Sequence, residues 1–357
     1  MGRLAEPFFS IVMPAYNVER SLEEAASSVL AQTFSDFELL LVDDASPDRS
    51  GAICDALQGE DARVRAIHLA ENGGLSRARN AGLDAARGRY VYFMDSDDVV
   101  DKTLLESAHA SLERSPAQAV MFGMREEYYD ENGRLRTVRE VRYKDVLLRG
   151  GALRREIVLI EGGSLFGYAC NKAYSRGLIE AHGLRFETVT LIEDVRFNAA
   201  FFARAESLNC LSTAPYHYKK RGGESLTAKF APDYYALHME RVQLIKTMYV
   251  DWGMYDAKVK RALAAVYARF ALSALARNCD RRAHMSFKAR RNFVEELLSS
   301  ELYRELMPHA RPKGGYARLA SAVLASKNAA AILILGRAVN AVNARLPFLF
   351  AKAKQSR

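Results

Sequence analysis

Residues 90–98 read Tyr90-Val91-Tyr92-Phe93-Met94-Asp95-Ser96-Asp97-Asp98, an apolar and aromatic run set directly against a block of acids. Such a run, rich in β formers and without polar alternation, reads as a strand buried on both faces. The acids then stand at its C-terminal end. The same grammar recurs upstream. Phe8–Pro14 is a compact apolar run leading to Ala15-Tyr16-Asn17, Phe37–Val42 ends in Asp43-Asp44, and Val64–Leu69 precedes the turn Asn72-Gly73-Gly74. Between these runs lie helical patterns. Glu19–Gln32 has apolar spacing at Leu22, Ala25, Ala26, Val29 and Leu30. Ser46-Pro47-Asp48 is expected to cap a helix to about Leu57, and Ser76–Ala86 is a third helix stopped by Gly88. Strands alternating with helices predict an α/β fold around a mostly parallel sheet. In open α/β sheets ligands bind outside the carboxyl ends of the strands. Pro14–Tyr16, Asp43-Asp44, Asn72–Gly74 and Asp95–Asp98 are therefore expected to converge on one crevice.

Downstream the pattern changes. From about Asp101 to Arg221 it is mixed, with a strand expected over Ala119–Tyr129, a turn at Glu131-Asn132-Gly133 and short helices. From Pro232 on it is helical, with helices expected near Tyr234–Tyr249, Asp256–Asn278, Ser286–Leu302 and Tyr316–Arg345. No internal repeat is visible. A chain of 357 residues suits about two domains, and the boundaries expected are 1–105, 106–231 and 232–357. Hydrophobic residues make up 49% of the chain, enough for a sizeable core. The four cysteines form no CxxC pair, so neither a disulfide nor a zinc framework is expected. Met1–Glu6 is polar with no apolar run behind it; no secretory signal is expected, and a reducing cytoplasm is the simplest home.

The formal charge of +8 is unevenly spread. From Leu306 onward there is no Asp or Glu, while Arg311, Lys313, Arg318, Lys327, Arg337, Arg345, Lys352, Lys354 and Arg357 are all present. A basic tail suits nucleic acid or an anionic membrane surface. No RNA- or DNA-binding motif accompanies it, so nucleic acid is not expected as a partner. The apolar stretch Ala329–Gly336 falls far short of the roughly 20 residues that span a bilayer. A helix lying on a membrane and a helix packing in a bundle both remain open for it.

Carboxylates two apart at a strand end, as in Asp95 and Asp97, can aim at one point. Such hard oxygen ligands suit Mg²⁺ or Mn²⁺ carrying a diphosphate. The competing structural reading is a cap for a helix over Val99–Leu112. At Asp43, an ionised carboxylate is an acceptor only, suited to the imide N–H of uracil. Ser46 or Asp48 would cap the next helix whatever Asp43 does.

Four blocks now stand in order: Ser10-Ile11-Val12-Met13-Pro14-Ala15-Tyr16-Asn17, Val42-Asp43-Asp44-Ala45-Ser46, Asn72-Gly73-Gly74-Leu75-Ser76-Arg77-Ala78-Arg79-Asn80-Ala81-Gly82 and Gly88–Asp98. Together they resemble the family 2 glycosyltransferases of the GT-A fold, densely over Phe8–Val100. The resemblance continues more thinly through Ala169-Cys170-Asn171-Lys172-Ala173-Tyr174, Gly183–Phe186, Ile192–Phe197, Tyr216–Lys219 and Gly223–Thr227. Cys170 departs from it, standing where the family would have Trp, which bears on the wall near the acceptor. The resemblance implies an inverting, metal-dependent transferase with a GT-A domain and a C-terminal helical region. Pro14, Tyr16 and Glu19 would line base and ribose, and Asp43 would hold the uracil. Asp95 would face ribose and Mn²⁺ or Mg²⁺, Asp97 would be a direct ligand of the ion, and Asp194 would be the general base. Further candidates are Glu193, Arg79, His217, Lys219, Arg221 and Ser225. Lys219, Lys220 and Arg221 form a basic run suited either to gripping the diphosphate or to a solvated loop. The donor would be a nucleotide sugar, with UDP expected as the nucleotide. The acceptor would be a saccharide, expected to be lipid-linked, in bacterial exopolysaccharide, capsule or lipopolysaccharide assembly.

Three other functions compete with this one. A dinucleotide-dependent oxidoreductase needs G-x-G-x-x-G after the first strand, where this chain has Pro14-Ala15-Tyr16-Asn17. A nucleotidyltransferase would open with a Gly-rich basic loop, which is absent. A catalytically inactive nucleotide-sugar-binding subunit is the remaining alternative, although every candidate acid is in place.

Overall fold

The structure is a computed structural model and describes residues 6–130, 132–189, 191–221, 232–311 and 315–345. The strands are β1 (Phe9–Ala15), β2 (Phe37–Asp43), β3 (Val64–His68), β4 (Tyr90–Phe93), β5 (Val99–Val100), β6 (Ala119–Met121), β7 (Met124–Tyr129), β8 (Leu135–Val141), β9 (Val146–Arg149), β10 (Lys172–Ser175), β11 (Ser207–Cys210) and β12 (Tyr216–Lys220). The helices among them are α1 (Leu22–Leu30), α2 (Ser50–Glu60), α3 (Leu75–Ala85), α4 (Leu104–Arg114), α5 (Gly150–Gly162), α6 (Arg176–Ala181) and α7 (Glu193–Phe202). After them come α8 (Tyr234–Asp251), α9 (Ala257–Arg277), α10 (Phe287–Ser299), α11 (Glu301–Leu306), α12 (Gly315–Ala325) and α13 (Ala329–Arg345).

The chain forms two compact units. One holds Met1–Glu156 and Gly163–Gly222; the other holds Ile157–Gly162, the last part of α5, and Gly223–Arg357. In the first unit the main sheet runs β3-β2-β1-β4-β10-β6-β11-β9. Its first four strands are parallel, as the alternation of strands and helices predicts, while β10 enters antiparallel between β4 and β6. Every residue of β1, β2 and β4 is buried. That explains their unbroken apolar sequence: no face of these strands meets water. A second sheet runs β5-β12-β7-β8.

Three local expectations give way. The run Ala119–Tyr129 is two strands, not one: β6 lies in the main sheet and β7 in the small one, with the chain changing sheets at Phe122-Gly123. Val99-Val100 is a strand paired with Tyr216 and His217, and the helix begins only at Leu104. Asp95–Asp98 therefore caps no helix at Val99. Ser46 does not cap α2 either, which starts at Ser50; its hydroxyl receives Asn17 N–H at 3.3 Å instead.

In the helical unit two long expected helices are each broken. Ser300 ends α10 and caps α11 by accepting Tyr303 N–H. Between α12 and α13, Lys327 has φ 57 and Asn328 Oδ1 caps the new helix through Ala331 N–H. A hydroxyl or amide that bonds nearby backbone competes with helix continuation, and apolar periodicity does not register it.

Candidate active site

The parallel register aligns Ala15, Asp43 and His68 in one row at the carboxyl edge of β1, β2 and β3. Loops leaving this edge are tied to one another. Asp44 N–H donates to Ala15 O at 2.9 Å, Val18 N–H to Ser50 Oγ at 2.9 Å, and Glu19 N–H to Asp48 Oδ2 at 3.0 Å. Glu19 returns the bond by accepting Arg49 N–H at 3.1 Å. Pro14 is buried within β1, and Tyr16 just beyond it is 48% exposed, an aromatic face open to a ligand.

Asp43 is pinned at both oxygens. Oδ1 accepts Ser46 N–H at 3.0 Å, and Oδ2 faces His68 Nδ1 at 3.1 Å. The other ring nitrogen of His68 faces Asp55 at 2.9 Å. Hydrogen bonds from the imidazole to Asp55 and Asp43 raise the His68 pKa. The neighbouring Asp44 does different work. Its two oxygens accept Gly73 N–H at 2.9 Å and Gly74 N–H at 2.7 Å. That clamps the turn in which Gly74 takes φ 83, a conformation costly for any side chain.

The turn launches α3, whose inner face carries Arg79. This guanidinium is 2% exposed and bridges two acids, with Nη1 donating to Asp194 at 2.5 Å and Nη2 to Asp95 at 2.9 Å. It also lies 5.1 Å from the Phe186 ring centroid. Burial would lower its pKa; the charges of Asp194, Asp95 and Glu193 outweigh that and hold it above its usual range. The glycine in the same helix is equally placed: a Cβ at Gly82 would meet Val12 Cγ1 at 2.3 Å, so α3 lies tight on the sheet.

Asp194 sits in the first turn of α7, and its second oxygen accepts Ala169 N–H at 2.9 Å. Beside it, burial and the Asp194 charge push Glu193 up to about 7, and Glu193 Oε2 has no hydrogen-bond partner among the described residues. In the acidic loop, burial raises Asp95, with Arg79 opposing and Asp194 adding. Asp97 is pushed up to about 6 by burial and then by the Asp95 charge, with Arg221 and Lys219 pulling the other way. Asp98 has no exposure. It accepts Lys219 N–H at 2.8 Å and the Tyr216 hydroxyl at 2.5 Å, fastening the acidic loop to β12.

Of the remaining candidates, His217 has both ring nitrogens already engaged within the protein, Nδ1 with Glu127 at 2.7 Å and Nε2 with Asp101 at 3.0 Å and Arg125 Nη1 at 3.2 Å. The Lys219 ammonium pairs with Glu24 at 2.6 Å, and that of Lys220 with Glu126 at 2.7 Å. Ser225 and the Gly223–Thr227 segment lie outside the described residues. Cys170 is 3% exposed, and burial pushes its thiol well up. No three His, Cys, Asp or Glu side chains among the described residues are arranged to hold a metal ion.

Sequence reasoning assigned no work to several residues that build this site. Asn80 exchanges two bonds with the Phe186 backbone, each 2.8 Å, and Ser76 Oγ donates to Glu187 O at 2.8 Å. They hold the Gly183–Phe186 segment against α3. Lys172 is fully buried, its ammonium donating to Leu165, Phe166 and Tyr168 carbonyls and to Asn171 Oδ1. Asn198 adds bonds to the Phe166 and Tyr168 carbonyls. These side chains fix the loop that presents Ala169 N–H to Asp194. Their signal in the sequence was a polar residue inside an apolar element, as with Asn198 in α7.

Comparison with known proteins agrees with this geometry. The model for Glycosyl transferase family 2 matches residues 10–183. A Bacillus subtilis protein named as the uncharacterized glycosyltransferase EpsJ is 31% identical over 85% of this chain and 87% of its own length. The Staphylococcus aureus poly(ribitol-phosphate) beta-N-acetylglucosaminyltransferase TarS is 27% identical over 72% of this chain and 43% of its own length. A crystal structure of S. aureus TarS in complex with UDP superposes with a TM-score of 0.64 at 21% identity, covering 93% of this chain and 90% of that one. The α/β architecture is thus the GT-A fold, followed by a helical region. With a relative matched along most of both chains, and the family's motifs gathered at one sheet edge, this chain belongs to glycosyltransferase family 2.

Proposed function

We propose that the chain transfers a sugar from a UDP-sugar to a hydroxyl of a saccharide acceptor, in one displacement with inversion at the anomeric carbon. The observation that carries this is the buried Arg79 guanidinium, which holds Asp95 and Asp194 on either side of one cation. The donor-side acid and the base are thereby neighbours at the carboxyl edge of the sheet. Pro14, Tyr16 and Glu19 frame the base and ribose, and Asp43 accepts the uracil imide N–H. The acceptor hydroxyl gives its proton to Asp194 as its oxygen bonds the anomeric carbon, while the bond to the diphosphate breaks and UDP leaves with the electron pair. Two of the roughly four lone-pair positions on the Asp194 carboxylate are taken by Arg79 and Ala169, so about two stay open to the incoming proton.

Asp95 and Asp97 are the residues that would hold Mg²⁺ or Mn²⁺. The fit rests on the donor set, two neighbouring carboxylates of which Asp97 is pushed up to about 6 by burial and the Asp95 charge, against the opposing charges of Arg221 and Lys219. One or two carboxylates completed by substrate phosphates suffice for such an ion. When bound, it would neutralise the leaving diphosphate as a Lewis acid. Arg79 meanwhile holds Asp95 and Asp194 in place through one hydrogen bond to each, and Asp98 anchors the loop that carries Asp97.

We place the acceptor on a lipid carrier at the cytoplasmic face of the inner membrane, in exopolysaccharide, capsule or lipopolysaccharide assembly. Support comes from the acid-free basic segment after Leu306 and from a relative named as a poly(ribitol-phosphate) beta-N-acetylglucosaminyltransferase. The test is a screen of nucleotide sugars, UDP-N-acetylglucosamine first, for UDP release that requires Mn²⁺ or Mg²⁺. Release lost in EDTA and restored by either ion supports the assignment; full activity in EDTA removes the ion from it. Tight UDP binding with no release from any donor would instead favour an inactive binding subunit.

A further inference from the structure

The helical unit carries a feature that nucleotide-sugar chemistry does not use. Helices α12 and α13 both pack on α9, through a cluster of Leu272, Ala276, Ala320 and Val339. On α13 the inward row is Ile332, Gly336 and Val339, and the approach is so close that a Cβ at Gly336 would meet Leu275 O at 2.9 Å. The opposite row of α13 reads Ile334, Arg337, Ala338, Ala341 and Val342, all exposed. On α12 the outward row is Arg318, Leu319, Ala322 and Ala325. Leu319 and Ile334 are 64% and 67% exposed, the two largest exposures of any large apolar side chain in the described residues, and Val342 is 46% exposed. Single exposed apolar residues are ordinary on protein surfaces. A row of them repeating at helical spacing with arginine, on two neighbouring helices, is not.

Charge identifies what would cover this face. None of the chain's 43 Asp and Glu lies from Leu306 onward, so its whole positive excess of +8 is concentrated in this segment. A second copy of the same face would bring like charges together, which opposes self-association. An anionic phospholipid surface satisfies both features: apolar side chains enter the headgroup and acyl boundary while Arg and Lys meet lipid phosphates. No helix among the described residues is long and apolar enough to cross a membrane. The inward rows of α12 and α13 are already committed to α9, so contact would be shallow.

We propose that the outward face of α12 and α13 is a peripheral docking surface for anionic phospholipid. Contact is made by Leu319, Ile334 and Val342, with Arg337 and Lys327 supplying charge. The inference goes beyond the transferase assignment and does not depend on it, because lipid binding is measured without donor or acceptor.

The experiment is co-sedimentation of the full chain with phosphatidylcholine vesicles, with and without phosphatidylglycerol. The bound fraction should be several-fold larger with phosphatidylglycerol at low salt. It should fall several-fold when the Debye length shrinks from about 30 Å to about 3 Å. Ile334→Glu with Leu319→Glu, and separately Lys327→Glu with Arg337→Glu, should each abolish binding, with circular dichroism unchanged because all four side chains are exposed. Lys288→Glu, an exposed lysine of α10 outside the proposed contact residues, should bind as the parent does. Equal binding to neutral vesicles, or an equal loss in Lys288→Glu, would overturn the assignment. So would a dimer at low salt that Ile334→Glu dissolves, because a second copy would then cover the face. If vesicles bind as expected but no nucleotide sugar is turned over, the docking surface stands and the transferase assignment fails.

Discussion

Asp43 and Asp194 each have both carboxylate oxygens engaged by the protein, so they are fixed before any ligand arrives. Fixed acceptors are what binding and proton abstraction need, since little is left to reorganise. Asp43→Ala should weaken UDP binding by roughly 1–3 kcal/mol, the value of a hydrogen bond to a charged group. Calorimetric titration checks this, and an unchanged dissociation constant would leave Asp43 a purely structural role. Asp194→Asn keeps the size but cannot take a proton near neutral pH, so transfer should drop by roughly 10²–10⁴-fold with UDP binding retained. Near-normal turnover would shift attention to Glu193, the neighbouring acid. His68 behaves differently, because its pKa is raised by Asp55 and Asp43. A histidine whose folded pKa lies above its unfolded value stabilises fully below about pH 6.5, and that contribution fades as pH rises through the folded value. The melting temperature gap between the parent and His68→Gln should therefore be largest near pH 6 and narrow towards pH 9. A gap independent of pH would mean that the imidazole acts only by packing.

At the scale of elements, α3 is the organiser of the site. Its N-terminus hangs from Asp44, its inner face carries Arg79, and Ser76 and Asn80 hold the chain around Phe186 and Glu187. Asp44→Ala would leave the Gly73 and Gly74 N–H groups without acceptors. Each such loss costs about 1–3 kcal/mol when buried. The urea midpoint should fall clearly, and UDP turnover should fall with it because Arg79 is carried on the loosened helix. Asp44→Asn, which keeps one acceptor oxygen, should lie between. Turnover unaffected at a lowered midpoint would separate the turn from the placement of Arg79.

Over the whole molecule, each of the two compact units has its own packing problem. In the α/β unit it is the buried parallel sheet. In the helical unit it includes the close crossing of α9 and α13 at Gly336, where added atoms meet backbone that cannot rotate away. Gly336→Leu should force α13 off α9, at a cost of about 1–3 kcal/mol for an overpacked contact. The expected result is a lower thermal midpoint for the helical unit with UDP affinity unchanged, because the candidate donor residues all lie in the other unit. Lost UDP binding would show that the crossing matters beyond its own unit.

What the sequence determined by itself is the half governed by local and repeating signals. Continuous apolar runs separated by helical spacing require a sheet buried on both faces, and polar clusters after each run place the crevice at the carboxyl edge. Tyr90–Asp98 alone carries both signals. The elements after Asp101 were less legible: β8, β9 and the split between β6 and β7 depend on partners far along the chain, and no local period encodes a partner. The same limit applies to side chains. Asp43 and Asp44 are adjacent and chemically identical, yet one faces His68 and Ser46 while the other clamps the Gly73-Gly74 turn. Asp97 and Asp98 divide in the same way, one pushed up by burial and the Asp95 charge and the other fastened to Tyr216 and Lys219. Only the tertiary structure decides between such neighbours, because a carboxylate's work depends on which donors surround it, and those donors come from other elements and loops, 25 to 30 residues away for His68, Gly73 and Gly74 and 118 to 121 for Tyr216 and Lys219.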